Sequence, residues 1–443
     1  MTNEDNNLPG RLKRYASVSW NVGGLLTQLA GARYLNLDSN PDPKKLRETL
    51  GKLKGPLVKI FQLLATIPDA LPAEYSRELM HLQSNAPRMG GGFVRRRMKG
   101  ELGPTWQSHF LDFNKEADAA ASLGQVHKAT LLNGTQVACK LQYPDMQSTV
   151  EADMAQFKLA LAAFNQFSKA IDTEYVVSEV KERLLEELDY KQEAKHIALY
   201  DHIFHDHPEV QMPSVIEPLS TSRLLTMSWM GGHQLLDLEK ASEEKRHLVA
   251  KNLFKAWYLP LYHYGIIHGD PHMGNYFFQE DGTVSLLDFG CVRVFPSPFI
   301  EGSINLYHGL EKQDDSMCVH AYEQLGFQSI TKDLLSVLNI WADYIYGPLL
   351  DDRVRPIEDT YSSKKGQKVA SHIYGELNKI GGVKPPKEFV FMDRAAIGLG
   401  AVFMRLRAHH NWHQMFHDLI EGFNKETLEQ KQKAALQQAG IFV

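Results

Sequence analysis

The chain has 443 residues, 43% of them hydrophobic, which is enough for two or three packed units with a substantial core. Its formal net charge of -5 argues against nucleic acid as a partner, because nucleic-acid binding favours a basic surplus. The three cysteines, Cys139, Cys291 and Cys318, are widely spaced and odd in number. The sequence therefore predicts neither a disulfide framework nor a cysteine zinc site, and it favours a reducing cytoplasm.

No export signal is expected at the amino terminus, where residues 1–7 are polar and acidic instead of basic and then apolar. The longest strongly apolar stretch, around Ala395–Met404, is shorter than the roughly 20 residues that cross a bilayer. We therefore expect a cytoplasmic protein without a transmembrane segment.

Helical periodicity opens the chain and a β-hairpin follows it. Apolar residues recur at three and four positions from Arg11 to about Gly103, which predicts a helical extension. Two strand-like runs, Ser122–Ala129 and Thr135–Gln142, flank the dipeptide Asn133-Gly134. This dipeptide between such runs is a strong cue for a hairpin.

Helices dominate the rest of the predicted structure. They are expected over residues 146–167, 173–200 and 242–264, with a strand over Arg223–Trp229, a hinge at Gly231-Gly232 and two short strands around Asp281-Gly282. The sequence thus predicts an α+β, two-lobed protein-kinase-like fold that is predominantly helical. We assign residues 1–115 to an N-terminal helical extension, 116–230 to the N-lobe and 231–443 to a helical C-lobe.

The segment from His268 to Asn275, His-Gly-Asp-Pro-His-Met-Gly-Asn, is the strongest functional signal. Asp270 precedes Asn275 by five positions, as in the kinase catalytic loop, and Asp288 opens a D-F-G triplet. Phosphoryl transfer requires a positioned nucleophile and Mg²⁺ held against the phosphates. We predict that Asp270 orients or deprotonates the nucleophile, that Asn275 and Asp288 bind metal, and that His268 braces the loop. The structural alternative is a polar turn between two buried strands.

A second signal lies on the hairpin, where Val137-Ala-Cys-Lys140 matches the V-A-I-K signature. The lysine of this signature binds the α- and β-phosphates; a lysine that blunts a sheet edge is the alternative. The strand before it should carry a glycine-rich loop, yet alanine replaces glycine there. Because a Cβ atom limits the approach of backbone to phosphate, we expect nucleotide to be held differently than in a protein kinase. The predicted cofactor-binding residues of this loop are Ala119, Ala120, Ala121, Ser122 and Gln125.

Taken together, these residues make the chain resemble the UbiB/AarF family of atypical kinase-like proteins, particularly its coenzyme Q biosynthesis branch. The resemblance runs from about Lys45 to beyond Asp288. It implies nucleotide-binding roles for Glu187 and Asp189, which match an E-x-D motif, and it implies that Glu193 is the helix glutamate that partners Lys140.

The family also has a K-x-G-Q motif in its helical extension, which folds over the active site. Its counterpart is Lys59-Ile-Phe-Gln62, where Phe61 replaces the glycine, so close helix packing there must differ. The resemblance implies catalytic roles for Lys59 and Gln62. No A-P-E triplet follows Asp288, so ordinary phosphorylation of protein substrates is not expected.

Motifs and resemblance together predict an atypical kinase-like enzyme that binds ATP or ADP with Mg²⁺, acts as an ATPase and supports ubiquinone biosynthesis. Two alternatives remain open: a small-molecule or lipid kinase of the aminoglycoside-phosphotransferase type, and a non-catalytic scaffold switched by nucleotide. The expected partners are nucleotide, a quinone precursor or the inner-membrane surface through peripheral contact, and other ubiquinone-biosynthesis proteins.

Three histidines near the carboxyl end, His409, His413 and His417, recur at helical spacing. We interpret them as ordinary residues of a helix face, because no carboxylate partner for a metal site is evident in the sequence.

Overall fold

The computed structural model describes residues 89–121, 123–165, 173–357 and 385–442, with a few positions between 369 and 380. These residues form two compact units. The first contains the described chain through Tyr190 and the segment Leu219–Thr226, and the second contains Lys191–Pro218 and the chain from Met227 onward. Lys59, Gln62 and Ser122 lie outside the described residues, and the three-part division of the chain stays a prediction.

Short strands and longer helices alternate along the chain. In chain order the strands are Phe110–Phe113 (β1), Ala119–Ala121 (β2), Gly124–Leu131 (β3), Gln136–Gln142 (β4), Val210–Gln211 (β5), Leu224–Ser228 (β6), His233–Gln234 (β7), Ile266–His268 (β8), Tyr276–Phe278 (β9), Val284–Leu286 (β10), Val292–Val294 (β11), Arg355–Pro356 (β12) and His409–His410 (β13). The α-helices are Gly91–Leu102 (α1), Met146–Asn165 (α2), Thr173–Glu186 (α3), Tyr190–Ile203 (α4), Glu243–Tyr264 (α5), Ser297–Lys312 (α6), Asp315–Gln324 (α7), Lys332–Tyr346 (α8), Lys387–Leu406 (α9), Trp412–Ile420 (α10) and Lys425–Gln438 (α11). None of these helices is long and apolar enough to cross a membrane.

The largest sheet is built around strand β3, which pairs antiparallel with β1, β2 and β4. Strand β6 adds beyond β4. The predicted hairpin between β3 and β4 is confirmed. Gly134 adopts a positive φ of 86°, a conformation that favours glycine, and the Asn133 side chain accepts a hydrogen bond from the Thr135 amide at 3.0 Å.

One predicted helix is interrupted. The continuous helix expected over residues 173–200 is wrong, because α3 ends at Glu186 and α4 begins at Tyr190. The amides of Leu188 and Asp189 bond instead to carbonyls three positions earlier, and the buried Gln142 side chain of β4 donates to the Leu188 carbonyl at 2.9 Å. A contact with a distant strand therefore fixes the break.

Helix α5 is the long buried helix of the second unit. It begins after Ser242, whose side chain accepts from the Lys245 amide, and ends at Gly265 with a φ of 64°. These are the expected limits of the helix. It leads directly into β8, which pairs with β11, while β9 and β10 pair on either side of the turn at Asp281-Gly282 as predicted. The fold is α+β and kinase-like, as the sequence predicts.

Candidate nucleotide and metal site

The alanine-rich segment and Lys140 lie on the same sheet. Ala119 is in register with Val126 on β3, and Val126 is in register with Lys140 on β4. Directly opposed residues of antiparallel strands share a face, so these three side chains point to the same side of the sheet. Lys140 is 7% exposed, and its Nζ atom lies 5.2 Å from the ring centroid of Tyr190. This contact supplies a cation–π interaction to a buried charge.

The loop between β2 and β3 depends on Gly124. A Cβ atom there would lie closer than 3.0 Å to the carbonyl oxygen of Leu141 and to the Tyr190 hydroxyl. Gly124 therefore allows β4 and Tyr190 to approach the end of the alanine-rich loop. Close packing therefore explains why glycine, and not alanine, occupies position 124.

Gln125, the last predicted residue of the loop, is fully buried. Its amide oxygen accepts from the Met89 amide at 2.8 Å, its Nε2 donates to the Met89 carbonyl at 3.1 Å, and the same atom lies 2.8 Å from His127 Nε2. The structure thus places this side chain in protein contacts that join β3 to the start of α1. Its role in nucleotide binding stays a prediction.

The other predicted carboxylates of this region occupy different elements. Glu187 and Asp189 lie in the turn between α3 and α4, where the Gln142 side chain holds the Leu188 carbonyl. Glu193 lies in the first turn of α4 and is 2% exposed. The sequence-based interpretation that these carboxylates share one helix is wrong, because the turn at residues 187–189 separates them. Their assigned roles stay predictions.

The structure brings Asp270, Asn275 and Asp288 together in the second unit. The Asn275 Nδ2 group donates to Asp270 Oδ2 at 3.1 Å and to the Asp270 carbonyl at 3.2 Å. The Leu287 amide donates to the Asn275 carbonyl at 3.0 Å, which places Asn275 beside the strand that leads to Asp288. Asp288 Oδ1 accepts from the Gly290 amide at 3.0 Å. Hydrogen bonds therefore orient the side chains of both aspartates.

His268 connects the loop to the D-F-G segment. Its Nδ1 accepts from the Asp270 amide at 3.3 Å, and its Nε2 donates to the Asp288 carbonyl. The ring also packs against Phe289, with centroids 5.6 Å apart. His268 is 3% exposed, and both of the hydrogen bonds described above join its ring to main-chain groups. It braces the loop, as predicted from its position.

Nearby aromatic residues support the same segment. Phe289 is fully buried and packs edge-to-face on Tyr200 of α4, with centroids 5.2 Å apart. Burial first, and the charge of Asp270 second, raise the pKa of Tyr276 well above its usual value.

The donor set fits Mg²⁺. Because Asn275 uses its amide nitrogen to bond Asp270, its oxygen is the atom available to a cation, and Asp288 supplies a carboxylate. Mg²⁺ prefers oxygen ligands and retains several waters, so one amide oxygen and one carboxylate with phosphate oxygens form a suitable set. The metal would neutralise charge on the phosphates.

Sequence reasoning missed three residues around this site. His196 of α4 donates from Nδ1 to the Phe289 carbonyl at 2.9 Å, and its Nε2 accepts from Gln192 at 3.0 Å. Gly398 of α9 packs against Pro271 so closely that a Cβ atom would lie within 3.0 Å of the proline ring. Only the i, i+4 spacing of Gln192 and His196 gave any local signal. Gly398 had none, because its constraint comes from a contact with a distant loop.

A braced H-G-D loop, an asparagine bonded to its aspartate and a D-F-G aspartate on a kinase-like fold define an atypical kinase-like protein. The ABC1 atypical kinase-like domain matches residues 81–322, more than half of the chain, so the chain belongs to this family. The resemblance seen in the sequence is confirmed.

Curated relatives are similar over most of the chain. The atypical kinase COQ8, mitochondrial, of Saccharomyces cerevisiae is 26% identical over 86% of this chain and 76% of its own length. The atypical kinase COQ8B, mitochondrial, of Rattus norvegicus is 25% identical over 92% of this chain and 77% of its own length. The chloroplastic protein ACTIVITY OF BC1 COMPLEX KINASE 1 of Arabidopsis thaliana is 29% identical over 79% of this chain, which spans 53% of that protein.

A solved structure shares the fold. The Rv3197 protein of Mycobacterium tuberculosis, solved in complex with erythromycin, superposes with a TM-score of 0.60. It is 28% identical, and the match covers 86% of this chain and 95% of that chain.

Proposed function

We propose that the protein is a Mg²⁺-dependent ATPase of the atypical kinase-like family that supports ubiquinone biosynthesis. The observation that carries the catalytic part is that hydrogen bonds join the Asn275 side chain to Asp270 and orient the carboxylate of Asp288. A polar turn without function would not need two hydrogen bonds from the Asn275 amide to Asp270 and a third that orients the Asp288 carboxylate.

In the proposed reaction Asp270 orients the attacking water through its carboxylate. Asn275 holds one oxygen of that carboxylate, which limits the rotation of the side chain. Fixing the nucleophile in this way lowers the entropic part of the barrier. Asn275 and Asp288 would hold Mg²⁺, and Lys140 is assigned to the α- and β-phosphates by its signature.

Water or a small acceptor is the proposed nucleophile, because the chain has no A-P-E triplet after Asp288. The biosynthetic role rests on the family resemblance and on relatives named atypical kinases COQ8. Peripheral contact with the inner membrane and with quinone precursors is part of the same proposal. Lys59 and Gln62 are proposed to act from the helical extension.

The test is an assay of ATP hydrolysis and of phosphoryl transfer on the full chain with γ-labelled ATP. Reactions contain Mg²⁺, with or without liposomes that carry a quinone precursor. We expect labelled inorganic phosphate, more of it with liposomes, and its loss in Asp270→Asn. Asp281→Asn is the matched control, because Asp281 caps an exposed turn through the Thr283 amide. Label on the precursor would instead establish a small-molecule kinase, and no turnover would favour the scaffold.

A further inference from the structure

A cluster of metal-ligand side chains lies at the amino-terminal end of α5. Glu243, His247 and His409 each offer a ligand atom, and these atoms lie within 4.8 Å of one another. Glu243 and His247 are four positions apart and so face the same side of the helix. His409 comes from β13, and its ring centroid lies 5.8 Å from that of His247.

Two nitrogens of this cluster lack hydrogen bonds. His247 Nε2 and His409 Nδ1 are buried, and neither has a hydrogen-bond partner among the described residues. A buried polar atom without a partner costs about 1–3 kcal/mol. Because both atoms belong to neighbouring rings beside a carboxylate, one cation could satisfy both lone pairs.

The geometry already approaches that of a bound ion. His247 Nε2 lies 3.5 Å from Glu243 Oε1. Two ligands at about 2.05 Å from tetrahedral zinc are about 3.3 Å apart. His409 would complete a set of two imidazoles and one carboxylate, with Glu243 66% exposed and a fourth position for water.

Neighbouring contacts hold the two histidines in place. His410 lies next to His409, and its Nε2 donates to the His247 carbonyl at 2.8 Å. The His410 ring packs on the fully buried Trp412, with centroids 5.2 Å apart. Strand β13 is therefore fixed to helix α5 before any ion binds, which is the preorganisation that a metal site requires.

From these observations we infer a zinc site formed by Glu243, His247 and His409, with its fourth position open to water. Imidazole nitrogen and carboxylate oxygen are ligands that zinc accepts, whereas Mg²⁺ favours oxygen alone. The H-G-D loop follows the carboxyl-terminal end of α5. His247 lies 17 positions before that end, or about 26 Å along the helix at 1.5 Å per residue. The site is independent of the proposed function, and the ion would add a second link between β13 and α5.

A second cluster provides an internal control. Glu311, His413 and His417 also place their ligand atoms within 4.8 Å. In this cluster His413 Nδ1 donates to the Leu349 carbonyl at 2.8 Å, and His417 Nε2 lies 2.6 Å from the Tyr307 hydroxyl. Because protein groups already satisfy these nitrogens, we expect no tight zinc site there.

The experiment strips the full protein of metal with a chelator, adds Zn²⁺ back in a large excess of Mg²⁺ and without nucleotide, removes unbound metal by dialysis and measures the zinc bound per chain. Wild type and the double variant His413→Gln/His417→Gln should each retain one zinc. Glu243→Gln should weaken binding at least about tenfold, and His247→Gln/His409→Gln should abolish it. Zinc should also raise the unfolding temperature of wild type but not of the latter variant.

Because Glu243 is exposed, its substitution should not unfold the chain, so the test does not depend on the histidine variants alone. Co²⁺ in place of zinc should give the d–d spectrum of a site without sulfur. The inference is overturned if wild type binds no zinc. It is also overturned if only the His413/His417 variant loses zinc, or if Co²⁺ shows thiolate charge transfer from Cys291.

Discussion

The Nδ1 atom of His196 lies 2.9 Å from the carbonyl oxygen of Phe289, so helix α4 is bonded directly to the D-F-G segment. The side-chain amide of Gln192 donates to His196 Nε2, which leaves a ring proton on Nδ1 to make this bond. The same helix carries Glu193 in its first turn. A shift of α4 would therefore be transmitted to the residue that follows Asp288.

Replacing His196 by Ala should loosen the D-F-G segment. Loss of one neutral hydrogen bond of about 1 kcal/mol corresponds to about a fivefold fall in the rate constant of ATP hydrolysis. Lys195→Ala is the control, because Lys195 is an exposed residue of the same helix. Steady-state hydrolysis with Mg²⁺ measures the effect. Equal rates in the two variants would exclude a positioning role for His196.

Gly398→Ala should misplace the catalytic loop. The added methyl would press on Pro271, next to Asp270, while alanine itself favours the helix by about 1 kcal/mol. We expect kcat to fall by about tenfold or more with little change in unfolding temperature. Gly400→Ala has nothing within 4 Å of its Cβ and should keep wild-type kcat. Similar kcat values in both variants would show that the loop does not depend on this contact.

Gly124→Ala should destabilise the first unit. Its Cβ would meet the Leu141 carbonyl and the Tyr190 hydroxyl, and overpacking against backbone costs about 1–3 kcal/mol. Gly100→Ala should instead raise the free energy of unfolding by up to about 1 kcal/mol, because Gly100 lies in helix α1 with open space around it. Denaturant unfolding distinguishes the two signs. A stable Gly124→Ala variant would contradict the close approach.

Asp393 should make stability depend on pH. It lines an apolar cavity in the second unit and accepts from Trp341 Nε1 at 2.6 Å, and burial raises its pKa to about 7. The folded pKa exceeds the unfolded value of 3.8, so the folded state retains a proton that the unfolded state loses. Stability therefore falls as pH rises from about 4 to 7.

The variant Asp393→Asn keeps an acceptor for Trp341 and removes the titration. Its free energy of unfolding relative to wild type should increase between pH 5 and pH 8, by on the order of 3 kcal/mol at most. Denaturant unfolding at the two pH values measures the difference. A constant difference between variant and wild type would contradict burial of the ionisable carboxyl group.

Features with local causes could be predicted from the sequence. The hairpin at Asn133-Gly134, the start of α5 at Ser242 and the cluster of Asp270 and Asn275 depend on residues close along the chain. Features with distant causes could not. The break before Tyr190 requires a bond from Gln142, and no spacing rule connects these positions.

The same distinction applies to the sites. The carboxylates that accompany the carboxyl-terminal histidines, Glu243 and Glu311, lie 166 and 102 positions before His409 and His413. His409 also lies on a strand, not on the predicted helix face. Only the folded chain reveals that imidazole and carboxylate meet, so the sequence supported the catalytic loop but not the zinc site.

We propose above all that Asp288 holds the Mg²⁺ that binds nucleotide. Calorimetric titration of ATP into wild type, Asp288→Asn and the control Asp281→Asn, each with and without Mg²⁺, tests it most directly. We predict that Mg²⁺ strengthens ATP binding in wild type and in Asp281→Asn and has no effect in Asp288→Asn. The same Mg²⁺-dependent affinity in Asp288→Asn as in wild type would contradict the assignment of the site.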